Sequence, residues 1–341
     1  MREHGLRECL RLGANESPFG ASPLAVAAMR DELARIWCYG DPQSHELREA
    51  LARTHGVAME SLLVGSGIDD LMGLIVRAFT AADDAVVTTL GTYPTLEYHV
   101  VGYGSRAIAA PYRPDGRVDL DALLDLARKH EAKLLYLANP DNPSGTFATK
   151  DDVCRLIDAL PAATLLMLDE AYADFIAPHD VGIDLDDRVI RLRTFSKGYG
   201  MAGARIGYAM TTPRHISALQ KIRLQYGVNR IAQVGALAAL RDTAFLQSVI
   251  DETARGRSDY EALASRLGIG TIPSSTNFML FDCGTEERAH RVLAALLRRG
   301  VWIRKPGAPP LNRYIRATVG TKAMRVAFAD ALEAVFVEVA A

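Results

Sequence analysis

The middle of the chain alternates short apolar, β-branched runs with amphipathic segments, and this alternation predicts an α/β fold. Apolar residues in the intervening segments recur three and four positions apart, which is typical of helices. Strands and helices in turn favour a mostly parallel sheet flanked by helices. After Pro273 the order of the patterns changes, which predicts a smaller α+β domain towards the C-terminus.

The N-terminal residues 1–21 are predicted to form an extended arm, which includes the polar, turn-rich segment Asn15–Gly20. Ser22 followed by Pro23 favours a helix start with the serine as N-cap, and this helix is expected to run to about residue 35. A second turn then leads into the main part of the chain.

That second turn is Tyr39–Pro42, and Ser44 is predicted to cap a helix that ends at Gly56. The predicted strands that follow are Ala85–Thr89, Arg106–Ala110, Lys133–Ala138, Thr164–Leu168, Val189–Leu192 and Ile206–Met210. The predicted helices are Ile68–Phe79, Leu120–His130 and Thr149–Leu160, and the segments Pro213–Leu224 and Ile231–Leu267 are predicted to be mainly helical. Thr149 and Asp152 have the spacing of a capping pair.

The C-terminal domain is predicted from five further patterns. These are strand Asn277–Asp282, helix Glu286–Arg299, strand Val301–Arg304, strand Tyr314–Val319 and helix Lys322–Val339. The resulting division has three parts: residues 1–37 as an arm and helix that join the small domain, 38–245 as the large domain, and 246–341 as the small C-terminal domain.

Composition and charge limit the classes of function. The 341 residues suffice for about two domains, and a net charge of −2 favours small-molecule partners over nucleic acid or an anionic membrane. Four dispersed cysteines and eight scattered histidines form no metal-binding motif. The N-terminus lacks a signal-peptide core, and no apolar run approaches the roughly 20 residues of a membrane span, so we expect a cytoplasmic protein.

The segment Thr194–Arg205 combines two hydroxyl side chains, a lysine, several glycines and an arginine directly after a predicted strand. Thr194, Ser196 and Arg205 can together hold a phosphate while Lys197 presents an amine. Taken alone, the segment is explained equally well as a flexible, solvated connection between strands.

Two other predicted strands end in polar groups. Asp169 ends one buried strand, and ligands of doubly wound sheets sit outside the carboxyl ends of strands. The turn Asn139–Gly145 follows another strand, and its prolines and glycine make it stiff enough to fix the side chain of Asn142 against a ligand. The alternatives are an aspartate that caps the next turn and an ordinary tight loop.

Gly65–Gly67 precedes the helix that begins near Ile68 and Asp69, and free N–H groups at a glycine-led helix start suit a phosphate. A plain strand-to-helix turn has the same pattern, and the glycine motifs of dinucleotide-binding and P-loop proteins are absent. Tyr93 follows a strand and can stack on a planar ligand, although packing is the commoner role of such a tyrosine.

Together these features predict one ligand that is planar and phosphorylated and carries a basic ring nitrogen and an aldehyde. Lysine forms Schiff bases with carbonyl compounds, and pyridoxal phosphate pairs such a lysine with an acidic partner at its ring nitrogen. Lys197 and Asp169 can fill these two roles.

With these motifs the chain resembles the class I and II pyridoxal-phosphate-dependent aminotransferases of fold type I, most closely the histidinol-phosphate aminotransferase family. The motifs follow the family's order over nearly the whole chain. They are Asn15–Gly20, Tyr39–Pro42, Gly65–Asp70, Tyr93-Pro94, Asn139–Gly145, Asp169–Tyr172, Thr194–Arg205 and Tyr314–Gly320.

The resemblance implies that Lys197 holds the cofactor as an internal aldimine and then moves a proton, while Asp169 keeps the ring nitrogen protonated and Tyr172 bonds the ring hydroxyl oxygen. The implied cofactor-binding residues are Tyr39, Gly67, Ile68, Asp69, Tyr93, Asn142, Asp169, Tyr172, Thr194, Ser196, Lys197 and Arg205. Tyr39 would reach a phosphate across a subunit interface, which implies a homodimer.

The resemblance also implies substrate-binding positions. These are Asn15, Phe19, Asn277, Arg304 and Arg316. Arg316 would meet the anionic group of the amino donor or 2-oxoacid. The family usually has an aromatic hydroxyl at the position of Phe19, and a phenylalanine cannot form a hydrogen bond to a substrate phosphate. This difference favours an aromatic or other apolar amino acid as an alternative donor.

The activity expected from the resemblance is transfer of an amino group to 2-oxoglutarate, from L-histidinol phosphate first and an aromatic amino acid next. A close alternative keeps the cofactor but removes CO2 from L-threonine O-3-phosphate, because the shared motifs do not decide which Cα bond breaks. A remote alternative is a non-catalytic protein that senses pyridoxal phosphate.

Overall fold

The computed structural model describes residues 9–180 and 182–340. Its strands are β1 (Leu10–Arg11), β2 (Leu62–Gly65), β3 (Ala85–Thr89), β4 (Arg106–Ala110), β5 (Leu134–Ala138), β6 (Leu165–Asp169), β7 (Val189–Thr194), β8 (Gly207–Met210), β9 (Thr271–Ile272), β10 (Phe278–Asp282), β11 (Val301–Trp302) and β12 (Tyr314–Thr318). Its helices are α1 (Pro23–Glu32), α2 (His45–His55), α3 (Ile68–Phe79), α4 (Thr95–Gly102), α5 (Leu120–Lys129), α6 (Lys150–Ala159), α7 (Pro213–Gln220), α8 (Arg230–Arg241), α9 (Thr243–Arg266), α10 (Glu286–Arg298) and α11 (Lys322–Ala340).

A seven-stranded sheet in the order β2-β8-β7-β6-β5-β3-β4 forms the centre of the molecule. Strand β8 runs antiparallel to β2 and β7, and every other neighbouring pair is parallel. The carboxyl ends of β5, β6 and β7 therefore meet at one edge, where ligands of such sheets bind. This mostly parallel sheet confirms the predicted α/β fold.

Helices cover both faces of the sheet because the strands are apolar on both sides. Successive residues of β6 point to opposite faces, so Met167 joins the core beneath α3 and α4 whereas Leu166 joins the core beneath α5 and α6. Both side chains are fully buried. The two apolar layers hold the strand ends in a fixed register.

A smaller unit is built from the antiparallel strands β12-β10-β9 and from α9, α10 and α11. Tyr260, Phe281 and Phe328 pack edge to face in its core. Strand β1 pairs in parallel with β11, which brings the N-terminal arm onto this unit. The three-part division stays a prediction, and its residues 1–8 and 341 lie outside the described residues.

One local prediction fails for an identifiable reason. Ser44 stands at the start of α2 with a left-handed backbone and its side chain makes no capping bond, because Asp41 Oδ2 accepts from the backbone N–H of His45 instead, at 2.6 Å. The segment Ile231–Leu267, predicted to be mainly helical, forms α8 and α9, and the carboxylate of Asp242 between them caps α9 by accepting from Phe245 N.

Other expected local features are present. The side chain of Ser22 accepts from Leu24 N and Ala25 N, as predicted for the N-cap of α1. Thr149 and Asp152 form a complete capping box at α6.

In the described part of the chain, we find no helix with the length and apolar character needed to cross a membrane, and no cluster of side chains placed to hold a metal ion.

Candidate active site

A cavity of about 620 Å³ opens at the carboxyl ends of β5, β6 and β7, between the large sheet and the smaller unit. Thirteen of the predicted site residues line it. They are Asn15, Ile68, Asp69, Tyr93, Asn142, Asp169, Tyr172, Thr194, Ser196, Lys197, Arg205, Arg304 and Arg316. The parallel sheet produces this convergence, because segments far apart in sequence leave it at the same edge.

Lys197 follows β7 and reaches the floor of the cavity. Its Nζ donates to the backbone oxygen of Asn15 at 3.1 Å and lies 5.5 Å from the centre of the Tyr172 ring. Burial and the nearby guanidinium of Arg316 lower the pKa of this amine to about 8. A substantial fraction of the amine is consequently available as a neutral nucleophile or base near neutral pH.

Asp169 is the last residue of β6 and is 5% exposed. Its Oδ2 accepts from the Tyr136 hydroxyl at 2.7 Å, and its Oδ1 accepts from Ala171 N at 2.9 Å. Burial raises the pKa of this carboxyl to about 6, against the effect of these hydrogen bonds. A carboxylate held in this way can accept a further bond from a protonated ring nitrogen in the cavity.

Thr194, Ser196 and Arg205 form a polar corner with the first turn of α3. The Thr194 hydroxyl donates to Ser196 Oγ at 2.9 Å, and Arg205 Nη1 lies 3.5 Å from the same oxygen. Gly67 precedes α3 with φ +89°, and a Cβ there would lie 2.7 Å from Arg205 Nη2. Only glycine lets the guanidinium approach the helix start, where unpaired N–H groups attract a phosphate.

Asn142 and Tyr172 form the polar wall opposite this corner. Asn142 Oδ1 accepts a hydrogen bond from Arg316 Nη1. The buried Tyr172 hydroxyl accepts from Asn15 Nδ2 at 2.9 Å, and burial raises the pKa of this phenol to about 12. Tyr93 lines the same cavity.

The rigid turn that carries Asn142 is held by a group outside the predicted set. The buried carboxylate of Asp141 accepts from the Tyr112 hydroxyl at 3.0 Å and from Ser144 N at 2.9 Å. These bonds fix the loop, as its prolines and glycine predict.

Arg316 is a partly buried cation that lines the cavity. Its described hydrogen bonds go to neutral oxygens, on Asn142 and at the backbone of Gly13, and its Nε makes none. Arg304 also lines the cavity, with its guanidinium 5.5 Å from the Trp302 ring. Cations without a described carboxylate partner favour an anionic substrate.

Two of the predicted substrate-side residues, Asn15 and Phe19, belong to the N-terminal arm, and a third, Asn277, holds it in place. Asn277 Nδ2 donates to the backbone oxygens of Asn15 and Glu16 at 3.1 and 3.3 Å, so Asn277 anchors the arm rather than facing the cavity. The side chain of Asn15 bonds Tyr172 and Thr318. Phe19 packs in an apolar cluster with Tyr172 and does not line the cavity.

Tyr39 lies away from this chain's cavity. It is 76% exposed and stacks on Tyr226 with ring centres 4.5 Å apart. The role predicted for Tyr39 requires a second copy of the chain.

Sequence reasoning missed Tyr136 and Lys305, which also line the cavity. A hydroxyl inside the otherwise apolar run of β5 was a usable signal for Tyr136. For Lys305 the signal was its position beside Arg304. Lys305 Nζ bonds Glu286 Oε1 at 3.0 Å, so its charge is paired.

Comparisons with known proteins agree with this geometry. Residues 7–332 match the aminotransferase class I and II family. Histidinol-phosphate aminotransferase from Symbiobacterium thermophilum is 36% identical over 98% of this chain and 92% of its own length, and that from Bacillus subtilis is 32% identical over 94% and 89%. The crystal structure of histidinol-phosphate aminotransferase from Sinorhizobium meliloti, in complex with pyridoxal-5'-phosphate, has a TM-score of 0.95 at 43% identity, covering 99% of this chain and 93% of that one.

Proposed function

The chain belongs to the class I and II aminotransferases, and we propose that it transfers the amino group of L-histidinol phosphate to 2-oxoglutarate. Its general activity is that of a pyridoxal-phosphate-dependent aminotransferase, as the sequence predicted. The identities of donor and acceptor are the proposal, and they would place the protein in histidine biosynthesis.

The cofactor is pyridoxal 5'-phosphate, and the residues of the cavity fit it. Gly67 with Arg205 provides a cradle that a Cβ would fill, Ser196 and Thr194 supply hydroxyls for the phosphate, and Asp169 supplies a buried acceptor for the ring nitrogen. When bound, this cofactor supplies an electron sink for the substrate Cα.

Lys197 is proposed to take the proton from the substrate Cα and return it on the product side. Its amine can do so because burial and Arg316 keep its pKa near neutrality. Asp169 holds a proton at the ring nitrogen, while Asn142 and Tyr172 orient the ring hydroxyl oxygen. Tyr93 lines the cavity and would cover one face of the ring.

The donor assignment rests on one observation, the partly buried Arg316 whose described hydrogen-bond acceptors are all neutral. A guanidinium partly withdrawn from water, with its Nε buried and without a hydrogen-bond partner, is stabilised by an anion, so the substrate is expected to supply that anion. The phosphate of histidinol phosphate and the carboxylates of 2-oxoglutarate meet this need in the two halves of the reaction. The names of the relatives support the phosphorylated donor.

An aromatic amino acid is the second candidate donor, and Phe19 is the observation that favours it. Phe19 packs against Tyr172 and Phe278 and offers no hydroxyl to a substrate phosphate. The carboxylate of an aromatic amino-acid donor would then pair with Arg316 in place of the phosphate.

We further propose a homodimer in which Tyr39 contributes to the neighbouring cavity. Large exposed apolar side chains cluster around Tyr39 and its stacking partner Tyr226, and exposed apolar patches mark interfaces. The cluster also contains Ile36, Trp37 and Leu224. The cytoplasmic location stays a prediction.

A donor screen tests the proposal. Glutamate formed from 2-oxoglutarate is measured with L-histidinol phosphate, L-histidinol and L-phenylalanine, and we expect kcat/KM to be highest for the phosphorylated donor. Preference for phenylalanine supports the second candidate. Failure of every donor to yield glutamate contradicts transamination.

Two variants assign the roles of Arg316 and Lys197 in the same assay. Arg316→Gln is expected to lower kcat/KM for histidinol phosphate roughly ten- to hundredfold through loss of a charged hydrogen-bonding partner, whereas Arg313→Gln, a half-exposed arginine paired with Asp282, should leave it unchanged. Lys197→Ala should abolish turnover and the visible absorbance of bound cofactor. An active Lys197→Ala variant contradicts the assigned base.

A further inference from the structure

Tyr136 lies on β5 beside β6 and is 1% exposed, with its ring in the apolar layer beneath α3 and α4. Its hydroxyl reaches the cavity and donates to Asp169 Oδ2 at 2.7 Å. No other hydrogen bond of this hydroxyl is seen among the described residues. The hydroxyl of Tyr136 is therefore directed at the carboxylate of Asp169.

The carboxylate of Asp169 is held from two sides. Tyr136 on β5 engages Oδ2, and the backbone N–H of Ala171, just after β6, engages Oδ1 at 2.9 Å. Two donors from two segments fix both the torsion and the plane of the group. Each oxygen retains acceptor capacity, so a third donor in the cavity can still be accommodated.

We propose that Tyr136 is a positioning residue that keeps Asp169 ionised and aimed at the ring nitrogen of the cofactor. The inference rests on the proposed role of Asp169 as partner of that nitrogen. Tyr136 touches Asp169 and acts through it, so it is not itself a catalytic residue.

Because of the charged and titratable groups around Asp169, the hydrogen bond from the Tyr136 phenol is needed to keep this carboxyl ionised. Asp69, on α3, opposes the negative charge of Asp169, and Lys197, after β7, favours it. The negative charge of Asp169 also contributes to the raised pKa values of the Tyr93 and Tyr172 phenols. The pKa of Asp169 is already raised to about 6 with the Tyr136 bond in place. Loss of that bond moves the pKa further up, so that the carboxyl is partly protonated at neutral pH.

Tyr136→Phe tests this by removing one oxygen while preserving the ring in the core. The dissociation constant of pyridoxal 5'-phosphate is measured by equilibrium dialysis of the holoenzyme at a series of pH values. We expect binding roughly tenfold weaker than in the wild type near pH 6, as loss of a hydrogen bond to a charged acceptor predicts. The ratio should fall towards one as rising pH ionises Asp169 in both proteins.

The matched control is Tyr260→Phe, which removes a buried hydroxyl that donates to the backbone oxygen of Thr318 at 2.9 Å in the smaller unit. It should leave cofactor affinity unchanged at every pH. Thermal unfolding of both variants shows whether each is folded. A loss of affinity in Tyr136→Phe that is equal at all pH values, or no loss, overturns the inference.

Asp169→Asn separates failure of this inference from failure of the proposed site. Unchanged cofactor affinity in Asp169→Asn would refute the role of Asp169 itself. If Asp169→Asn weakens binding, the Tyr136→Phe/Asp169→Asn double variant should bind no more weakly than Asp169→Asn alone, because Tyr136 acts through that carboxylate. Additive losses would contradict the inference even if a single variant folds poorly.

Discussion

Lys197 and Asp169 show how burial prepares single residues for chemistry. Burial lowers the pKa of the amine to about 8 and raises the pKa of the carboxyl to about 6. Both values approach the range in which proton transfer is effective near neutral pH. Keeping these ionisable groups out of water lowers the stability of the cofactor-free protein.

The first prediction at this scale concerns Asp169→Asn in the cofactor-free protein. The folded pKa of Asp169 is about 6 against an ordinary 3.8, so its ionisation removes stability as pH rises through this interval. At neutral pH the amide variant is expected to be more stable by up to about 3 kcal/mol. Urea unfolding at pH 4 and pH 7.5 measures the difference.

The two pH values provide the control, because wild type and variant should be nearly equal in stability at the lower one. Adding pyridoxal 5'-phosphate should reverse the order at pH 7.5, since only the wild type gains a charged partner for the ring nitrogen. A variant less stable than the wild type without cofactor would contradict the assigned desolvation cost.

At the scale of elements, the Thr194–Arg205 loop depends on close contact with the N-terminal arm. Gly200 has φ +69°, and a Cβ there would lie 1.9 Å from the backbone oxygen of Gly20. The contact joins the loop that carries Lys197 to the arm that carries Asn15. The two elements consequently define one wall of the cavity together.

Gly200→Ala is expected to destabilise the protein by more than about 1 kcal/mol, since an alanine is strained there and must displace the arm. It should also weaken cofactor binding, which dialysis measures beside urea unfolding. Gly203→Ala in the same loop is the control, because no atom lies within 4 Å of its added Cβ. Equal behaviour of the two variants would show that the loop does not need the arm.

The element patterns also show where sequence reasoning is strong. Strand β3 and helix α3 have the predicted ends, because apolar, buried runs bounded by turn residues encode them locally, and the partly exposed strand β4 also has the predicted ends. Strand β2 and helix α4 were not predicted. The apolar run of β2 is short, and α4 has a weak apolar stripe, so tertiary packing decides both.

At the scale of the whole molecule, the exposed cluster around Tyr39 suggests that the functional unit contains two copies. Trp37 is 83% exposed beside it, which is unusual for so large an apolar side chain. A second copy would bury this surface and bring Tyr39 near the neighbouring cavity, as proposed above.

Trp37→Glu is therefore expected to shift the protein from dimer to monomer, since a charge in an apolar interface is costly. Sedimentation velocity at matched concentration measures the shift, and cofactor affinity should fall with it. Val337→Glu, at a 76% exposed apolar position on α11, is the control and should remain dimeric. A dimeric Trp37→Glu would place the interface elsewhere.

The sequence by itself determined the α/β class, the family, the cofactor and thirteen of the residues that line the cavity. It could do so because turn chemistry at strand ends is local, and a parallel sheet brings those ends to one edge. Tertiary structure alone decided that Tyr136 bonds Asp169, that Asn277 holds the arm, and that Tyr39 lies outside its own cavity. These relations join residues distant in sequence, and only packing fixes such pairs.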